Sequence, residues 1–216
     1  AFPAMPLSAS TPALPSMRLP AVRTIGVLVA LLATALTLSA CGPATPKFKG
    51  SDVTGSAFGR DFALVDVDGK PRTLADYRGK AVVLFFGYTQ CPDVCPTTLS
   101  TLAEAMKQLG PDADRVRGVF VTVDPERDTA ELLKQYVPAF DPRFVGLRGD
   151  AAQTEAVAKE FRIIFQKVPG RTPETYTVDH SAGIFLFDPA GRLRVYEGHG
   201  QPPDVLAHDL RLLLAS

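Results

Sequence analysis

Ala81-Val82-Val83-Leu84-Phe85-Phe86-Gly87-Tyr88-Thr89-Gln90-Cys91-Pro92-Asp93-Val94-Cys95-Pro96 decides the reading of this 216-residue chain. Its first six residues are a continuous apolar run, which suits a strand in a sheet covered on both faces. After it, Leu99, Leu102, Ala103, Met106 and Leu109 recur at helical spacing until Gly110-Pro111 stops the helix. Two thiols four residues apart therefore stand at a strand-to-helix junction. The partial positive charge of a helix N-terminus there favours thiolate over thiol. If both cysteines lie on the first helical turn they share one face, close enough for a disulfide or for one chelated ion. Where the helix begins depends on its prolines. Either Pro92 occupies the first turn and Pro96 kinks the helix, or Pro96 itself starts the regular helix.

Working outward on the N-terminal side, Phe62–Asp66, a turn at Asp68-Gly69 and a short strand near Arg72–Leu74 read as a hairpin. Residues 42–57 hold Gly, Pro, Ser and Lys without periodicity and read as a flexible tether, so the folded domain is expected over 58–216. Arg18 and Arg23 flank the start of an uncharged apolar stretch ending in Leu38-Ser39-Ala40-Cys41-Gly42. That is the pattern of a signal peptide over 1–40, with 1–16 a candidate over-long start. Small residues before Cys41 resemble a bacterial lipobox, which makes Cys41 the expected lipidation site and membrane anchor.

On the C-terminal side, Val116–Val123 reads as a strand, and Asp128 with Glu131 reads as a capping box for a helix carrying Leu132, Leu133 and Tyr136. Phe144–Leu147 is a short strand, and Asp150 caps a helix striped by Thr154, Val157, Ala158 and Phe161. Strands follow at Ile163–Gln166, Gly183–Phe187 and Leu193–Tyr196, the last two joined through Pro189-Ala190-Gly191. Leu206, Leu210, Leu213 and Leu214 mark a final helix. The Pro/Gly-containing segment 168–175 reads as an exposed loop. This order implies an α/β domain, a central mixed β-sheet flanked by helices with an N-terminal hairpin. With a dithiol at the strand-to-helix junction it resembles the thioredoxin-like fold.

Composition narrows the chemistry. The 23 basic and 23 acidic residues balance and form no basic stripe, which argues against nucleic acid as a partner. Of three cysteines, a lipidated Cys41 leaves only Cys91 and Cys95, too few and too closely spaced for a disulfide-stapled scaffold. Redox chemistry or metal binding explains the pair better, and no phosphate-binding glycine loop or serine-nucleophile elbow competes for the function. A third ligand must come from His180, His199 or His208, between which spacing alone does not choose. Asp124, at the end of a strand near the thiols, either orients a ligand or partner or caps the following turn. Phe86 and Tyr88 are expected to pack around the thiols, and Pro92 and Asp93 to shape the loop.

Three blocks go further: Phe86–Pro96, then Val123-Asp124-Pro125-Glu126-Arg127-Asp128-Thr129, then Val178-Asp179-His180-Ser181. Together, over roughly residues 55–214, they closely resemble the Sco/SenC family of membrane-anchored copper chaperones. The resemblance implies a thioredoxin-like fold and one copper ion, Cu(I) or Cu(II), bound by Cys91, Cys95 and His180. It implies delivery of copper to subunit II of cytochrome c oxidase, with another copper chaperone or a thiol oxidoreductase as a further partner. The chain would then sit on the cell membrane by a lipid anchor, facing the periplasm or cell exterior, as a metallochaperone rather than an enzyme. The alternative is a thiol–disulfide reductase acting on the cysteines of that copper centre or on other exported thiols. A reductase does not require His180, whereas tight copper binding does. A peroxiredoxin-like peroxidase fits poorly, because Thr89 lies two residues before Cys91 and that family's threonine lies three before.

Overall fold

The computed structural model describes residues 47–172 and 175–215. The signal peptide expected at 1–40 and the lipidation site Cys41 lie outside the described residues. In chain order the elements are β1 (Ser51–Asp52), β2 (Leu64–Asp66), β3 (Pro71–Arg72), β4 (Ala81–Gly87), α1 (Val94–Leu109), β5 (Val116–Thr122), α2 (Ala130–Tyr136) and β6 (Phe144–Arg148). Then come α3 (Ala151–Glu160), β7 (Phe165–Val168), β8 (Thr177–His180), β9 (Ile184–Phe187), β10 (Leu193–Glu197) and α4 (Pro203–Leu214).

Eight strands form one mixed sheet in the order β1-β10-β9-β4-β5-β6-β2-β3. At its centre β4 runs parallel to β5 and antiparallel to β9. All seven residues of β4 are buried, which is why the apolar run is continuous: both of its faces are covered. Val83, Phe85 and Gly87 point one way, toward α1, with Gly118 and Phe120 of β5 beside them. Phe86 points the other way, where its ring meets Phe161 at 5.3 Å and Phe185 at 6.1 Å. The expected α/β, thioredoxin-like architecture is thus what the chain adopts. The β2–β3 hairpin is also as expected, closed by Gly69 at φ +77° while Asp66 accepts from the Asp68 and Lys70 N–H groups.

Three expectations fail locally. Residues 47–57 are not a free tether: β1 pairs antiparallel with β10, and the Lys49 and Gly50 N–H groups donate to the Asp209 carboxylate. The folded unit therefore extends N-terminal of residue 58. Asp128 does not cap α2; Thr129 does, accepting from the Leu132 N–H at 3.2 Å. The third failure matters most for function. Residues 169–172 and 175 are exposed and lie outside any strand, as expected for the loop, but they connect the two strands of a hairpin: Thr177–His180, for which no strand was expected, pairs antiparallel with Phe165–Val168. This two-stranded ribbon is separate from the main sheet, and the strand expected at Ile163–Gln166 begins two residues later, at Phe165.

Candidate metal centre

Helix α1 begins at Val94, so Cys95 lies in its first turn and Cys91 lies before it. Pro96 is tolerated without a kink because the first N–H groups of a helix have no intrahelical acceptor; the first such bond is Thr97 N–H to the Asp93 carbonyl, at 3.1 Å. The two thiols therefore converge from a loop and a helix rather than along one helical face. They are unbonded, Cys91 half-buried and Cys95 fully buried.

Gly87 makes the approach of Cys95 possible. A Cβ at that position would lie 2.9 Å from Cys95 Sγ and 2.9 Å from Phe120 Cε2. Only a glycine lets the sulfur come so close to the end of the central strand. Burial overrides the helix N-terminus: it pushes the Cys95 thiol well above the ordinary cysteine value, contrary to the thiolate expected from the helix dipole alone. Without a cation beside it, Cys95 is a neutral thiol.

His180 ends β8, and its Nε2 lies 3.5 Å from Cys95 Sγ. Its Nδ1 is 3.0 Å from the Ser181 carbonyl oxygen, which can only accept, so Nδ1 carries the proton and Nε2 presents its lone pair to the sulfurs. Burial lowers the His180 pKa, which keeps the imidazole neutral, as a ligand must be. Phe85 and Tyr88 hold the ring edge-to-face at 6.3 and 6.0 Å. Tyr88 adds a second tie, its hydroxyl oxygen accepting from the Val178 N–H at 3.2 Å. Phe86, expected beside the thiols, faces the opposite side of the sheet, and Phe85 takes that place.

The Sγ atoms of Cys91 and Cys95 and a ring nitrogen of His180 all lie within 4.8 Å of one another. Metal–ligand bonds of about 2.0–2.3 Å place the ligands of one ion roughly 3.5–4.5 Å apart, so this set closes on one ion with small movements. Two thiolates and an imidazole are a donor set for a soft or borderline metal. Among the described residues no other group of His, Cys, Asp or Glu side chains is so arranged. His208 instead contacts the carboxylate of Asp209, with Nδ1 2.6 Å from Oδ1.

The acidic residues of the second block act on the loops that carry the ligands. Asp128 is buried and accepts from the Thr89 N–H at 3.1 Å and from the Thr122 hydroxyl at 2.6 Å, pinning the segment that leads to Cys91 onto the end of β5. Asp124 is likewise buried and touches neither sulfur nor imidazole. It accepts from the Tyr176 hydroxyl at 2.8 Å and pairs with Arg127, whose guanidinium lies 3.6 Å over the Tyr176 ring. Sequence reasoning missed Gly87, Arg127 and Tyr176. Gly87 and Arg127 stand inside the quoted blocks, but Tyr176, 49 residues beyond Arg127, carries no local signal.

Comparison with known proteins agrees with this geometry. A family model described as SCO1/SenC matches residues 51–215. The mouse mitochondrial SCO2 homolog is 37% identical over 158 residues, covering 72% of this chain and 62% of the mouse protein. Against the cattle and human counterparts the chain spans 59% of the relative's length. Among solved structures, Bradyrhizobium japonicum ScoI with copper bound is 42% identical at a TM-score of 0.67, covering 73% of this chain and 100% of that one. Apo Sco1 from Thermus thermophilus is 40% identical at a TM-score of 0.70, covering 79% and 99%. The chain belongs to the SCO1/SenC family.

Proposed function

We propose that this protein is a copper chaperone. In this reading it is held at the outer face of the cell membrane through lipidated Cys41 and binds one copper ion between Cys91, Cys95 and His180. It then delivers that ion to the binuclear copper centre of cytochrome c oxidase subunit II. The observation that carries the reading is the meeting of two sulfurs and one unprotonated imidazole nitrogen within 4.8 Å. Its support from relatives is the copper bound in the Bradyrhizobium japonicum protein.

The chemistry follows from the donors. Thiolates favour Cu(I), and the imidazole extends the site to Cu(II). Three protein ligands leave a position for an incoming acceptor, as a closed four-ligand site would not. Because the buried Cys95 is a neutral thiol before binding, copper must displace its proton, and affinity falls as pH falls. Thiol–disulfide exchange with an external disulfide, which takes up the two electrons and two protons and leaves as two thiols, joins Cys91 Sγ to Cys95 Sγ and removes two of the three ligands. Metal loading is thereby tied to the redox state of the pair.

The alternative, a thiol–disulfide reductase, draws on one further observation: Cys91 is half-exposed and Cys95 buried, an asymmetry that suits attack by one thiol and resolution by the other. Copper titration of the reduced full chain in detergent, beside its His180→Ala form, separates the two. The parent should bind one tight equivalent. Loss of a group that merely orients a ligand typically weakens metal binding by about 10–100-fold, so loss of the imidazole itself should cost at least that for Cu(II), the oxidation state that draws on it. Unchanged binding in His180→Ala would remove His180 from the site, and loose copper binding with disulfide reduction at full rate without His180 would replace the chaperone by the reductase.

A further inference from the structure

The ribbon that carries His180 has no strand pairing with the main sheet, so its position is set by side chains. Two residues before His180, Tyr88 accepts from the Val178 N–H. The remaining ties, at the end away from His180, converge on residues 124–127. Asp124, fully buried and with its own N–H donating to the Thr122 hydroxyl at 3.0 Å, accepts from the Tyr176 hydroxyl. Arg127 Nε donates to Asp124, and Nη1 donates to the Tyr176 carbonyl at 2.8 Å. Nη1 also reaches Gln90 Oε1 at 3.3 Å, next to Cys91. Glu126 pairs with Lys167 of β7 at 2.6 Å. One guanidinium thus touches the loop that presents a thiol and the residue that leads into the strand presenting the imidazole.

We propose that Asp124, Arg127 and Tyr176 form a clamp that sets the distance of His180 from the two sulfurs and so determines whether the site retains Cu(II) as well as Cu(I). This rests on the copper reading above. Two thiolates are a sufficient ligand set for Cu(I), whereas Cu(II) draws on the imidazole. Loosening the ribbon withdraws the imidazole and leaves the sulfurs in place. None of the three clamp residues is a ligand. They are positioning residues, and what they position is the one ligand carried by the separate ribbon.

Tyr176→Phe is the mildest test, since it removes one hydroxyl and keeps the ring beneath the guanidinium. Arg127→Lys keeps the charge and loses the fork that spans Gln90 and Tyr176. Each would be made in the full chain and compared with parent and His180→Ala. The readouts are the sulfur-to-copper charge-transfer absorption of Cu(II), Cu(I) affinity by chelator competition, and amide exchange at Val178–His180 in copper-free protein. Both clamp variants should exchange those amides several-fold faster and lose Cu(II) affinity by about 10–100-fold. Their Cu(I) affinity should stay within about threefold of the parent, approaching the pattern of His180→Ala. Parent-like Cu(II) spectra and affinity in both variants would overturn the clamp, as would equal losses of both oxidation states. Absence of copper on the parent itself would sink the chaperone reading and the selectivity with it. Unchanged amide exchange in that case would remove the clamp as well.

Discussion

The two halves of the metal centre are built differently. The cysteine half belongs to the frame of the molecule: β4 is buried along its whole length, paired on both sides, and Cys95 sits in α1 against it. The histidine half rides on a four-residue strand in a separate ribbon whose opposite face is open to solvent, with Ile164 just ahead of it 78% exposed. Moving Cys95 requires unfolding the core, whereas moving the ribbon requires only the loss of a few side-chain ties. A carrier that must hold a metal and then yield it is served by this division: two sulfurs that stay in place and one nitrogen that can leave.

The contrast breaks most visibly under core truncation. Phe86 is fully buried among Phe161 and Phe185 on the face away from the site. Phe86→Ala should cost about 3–5 kcal/mol, lowering the melting temperature of the folded unit by roughly 10 °C. On the ribbon, Val168 is 38% exposed, and Val168→Ala should stay within about 0.5 kcal/mol. Thermal unfolding of both variants checks this, and comparable losses would mean that the ribbon is part of the same cooperative core.

A smaller effect separates the halves chemically. The added methyl of Gly87→Ala meets Cys95 Sγ and Phe120 at 2.9 Å, an overpacking worth about 1–3 kcal/mol. Because it displaces a sulfur rather than the imidazole, it should weaken Cu(I) and Cu(II) together, unlike the clamp variants. Chelator competition with each oxidation state measures the difference.

The same division explains what could be read from the sequence. The cysteine half was legible because each of its signals is local and long enough: six apolar residues, two thiols, a sixteen-residue helix stopped by Gly110-Pro111. The histidine half was not. Strands of four residues, Phe165–Val168 and Thr177–His180, are too short for alternation to stand out, and the Pro/Gly segment between them reads as loop on its own. The residues that hold the ribbon are far apart in the chain. His180 entered as a ligand through the family resemblance, not through pattern. Asp128 was misread because Asp128 and Thr129 both fit a helix cap, and only the fold shows that the carboxylate turns inward to Thr89 and Thr122. At the N-terminus, a two-residue strand held by hydrogen bonds to Asp209 leaves no periodicity to find.

That N-terminal segment sharpens the comparison, because it too is docked onto the frame but over a buried carboxyl group, Glu197, that titrates. Glu197 is fully buried, neither of its oxygens has a hydrogen-bond partner, and a Cβ on Gly50 would fall 2.5 Å from its carboxyl carbon. Beside it, Asp209 accepts from the Lys49 and Gly50 N–H groups and meets His208, while Lys49 Nζ pairs with Asp204 at 3.4 Å. Burial first and Asp209 second push Glu197 from 4.5 up to about 8. The docked state therefore holds a proton that the undocked state gives up above pH 4.5. Docking is strongest below that pH, weakens steadily as pH rises, and stops weakening once Glu197 ionises in place near pH 8. Amide protection at Gly50 and Val53, corrected for intrinsic exchange, should fall across that window in the parent and stay flat in Glu197→Gln, with no change in melting temperature comparable to Phe86→Ala. The ribbon is held by Arg127 and tyrosine hydroxyls, and the titrating group it buries is His180, whose pKa burial lowers from 6.5. Docking of the ribbon therefore strengthens as pH rises toward that value and is level above it, so protection at Val178 should rise or hold where protection at Gly50 falls. Parallel loss at Val178 and Gly50 would mean that the two docked pieces share one equilibrium, and that His180 is governed by the proton on Glu197 rather than by its own clamp.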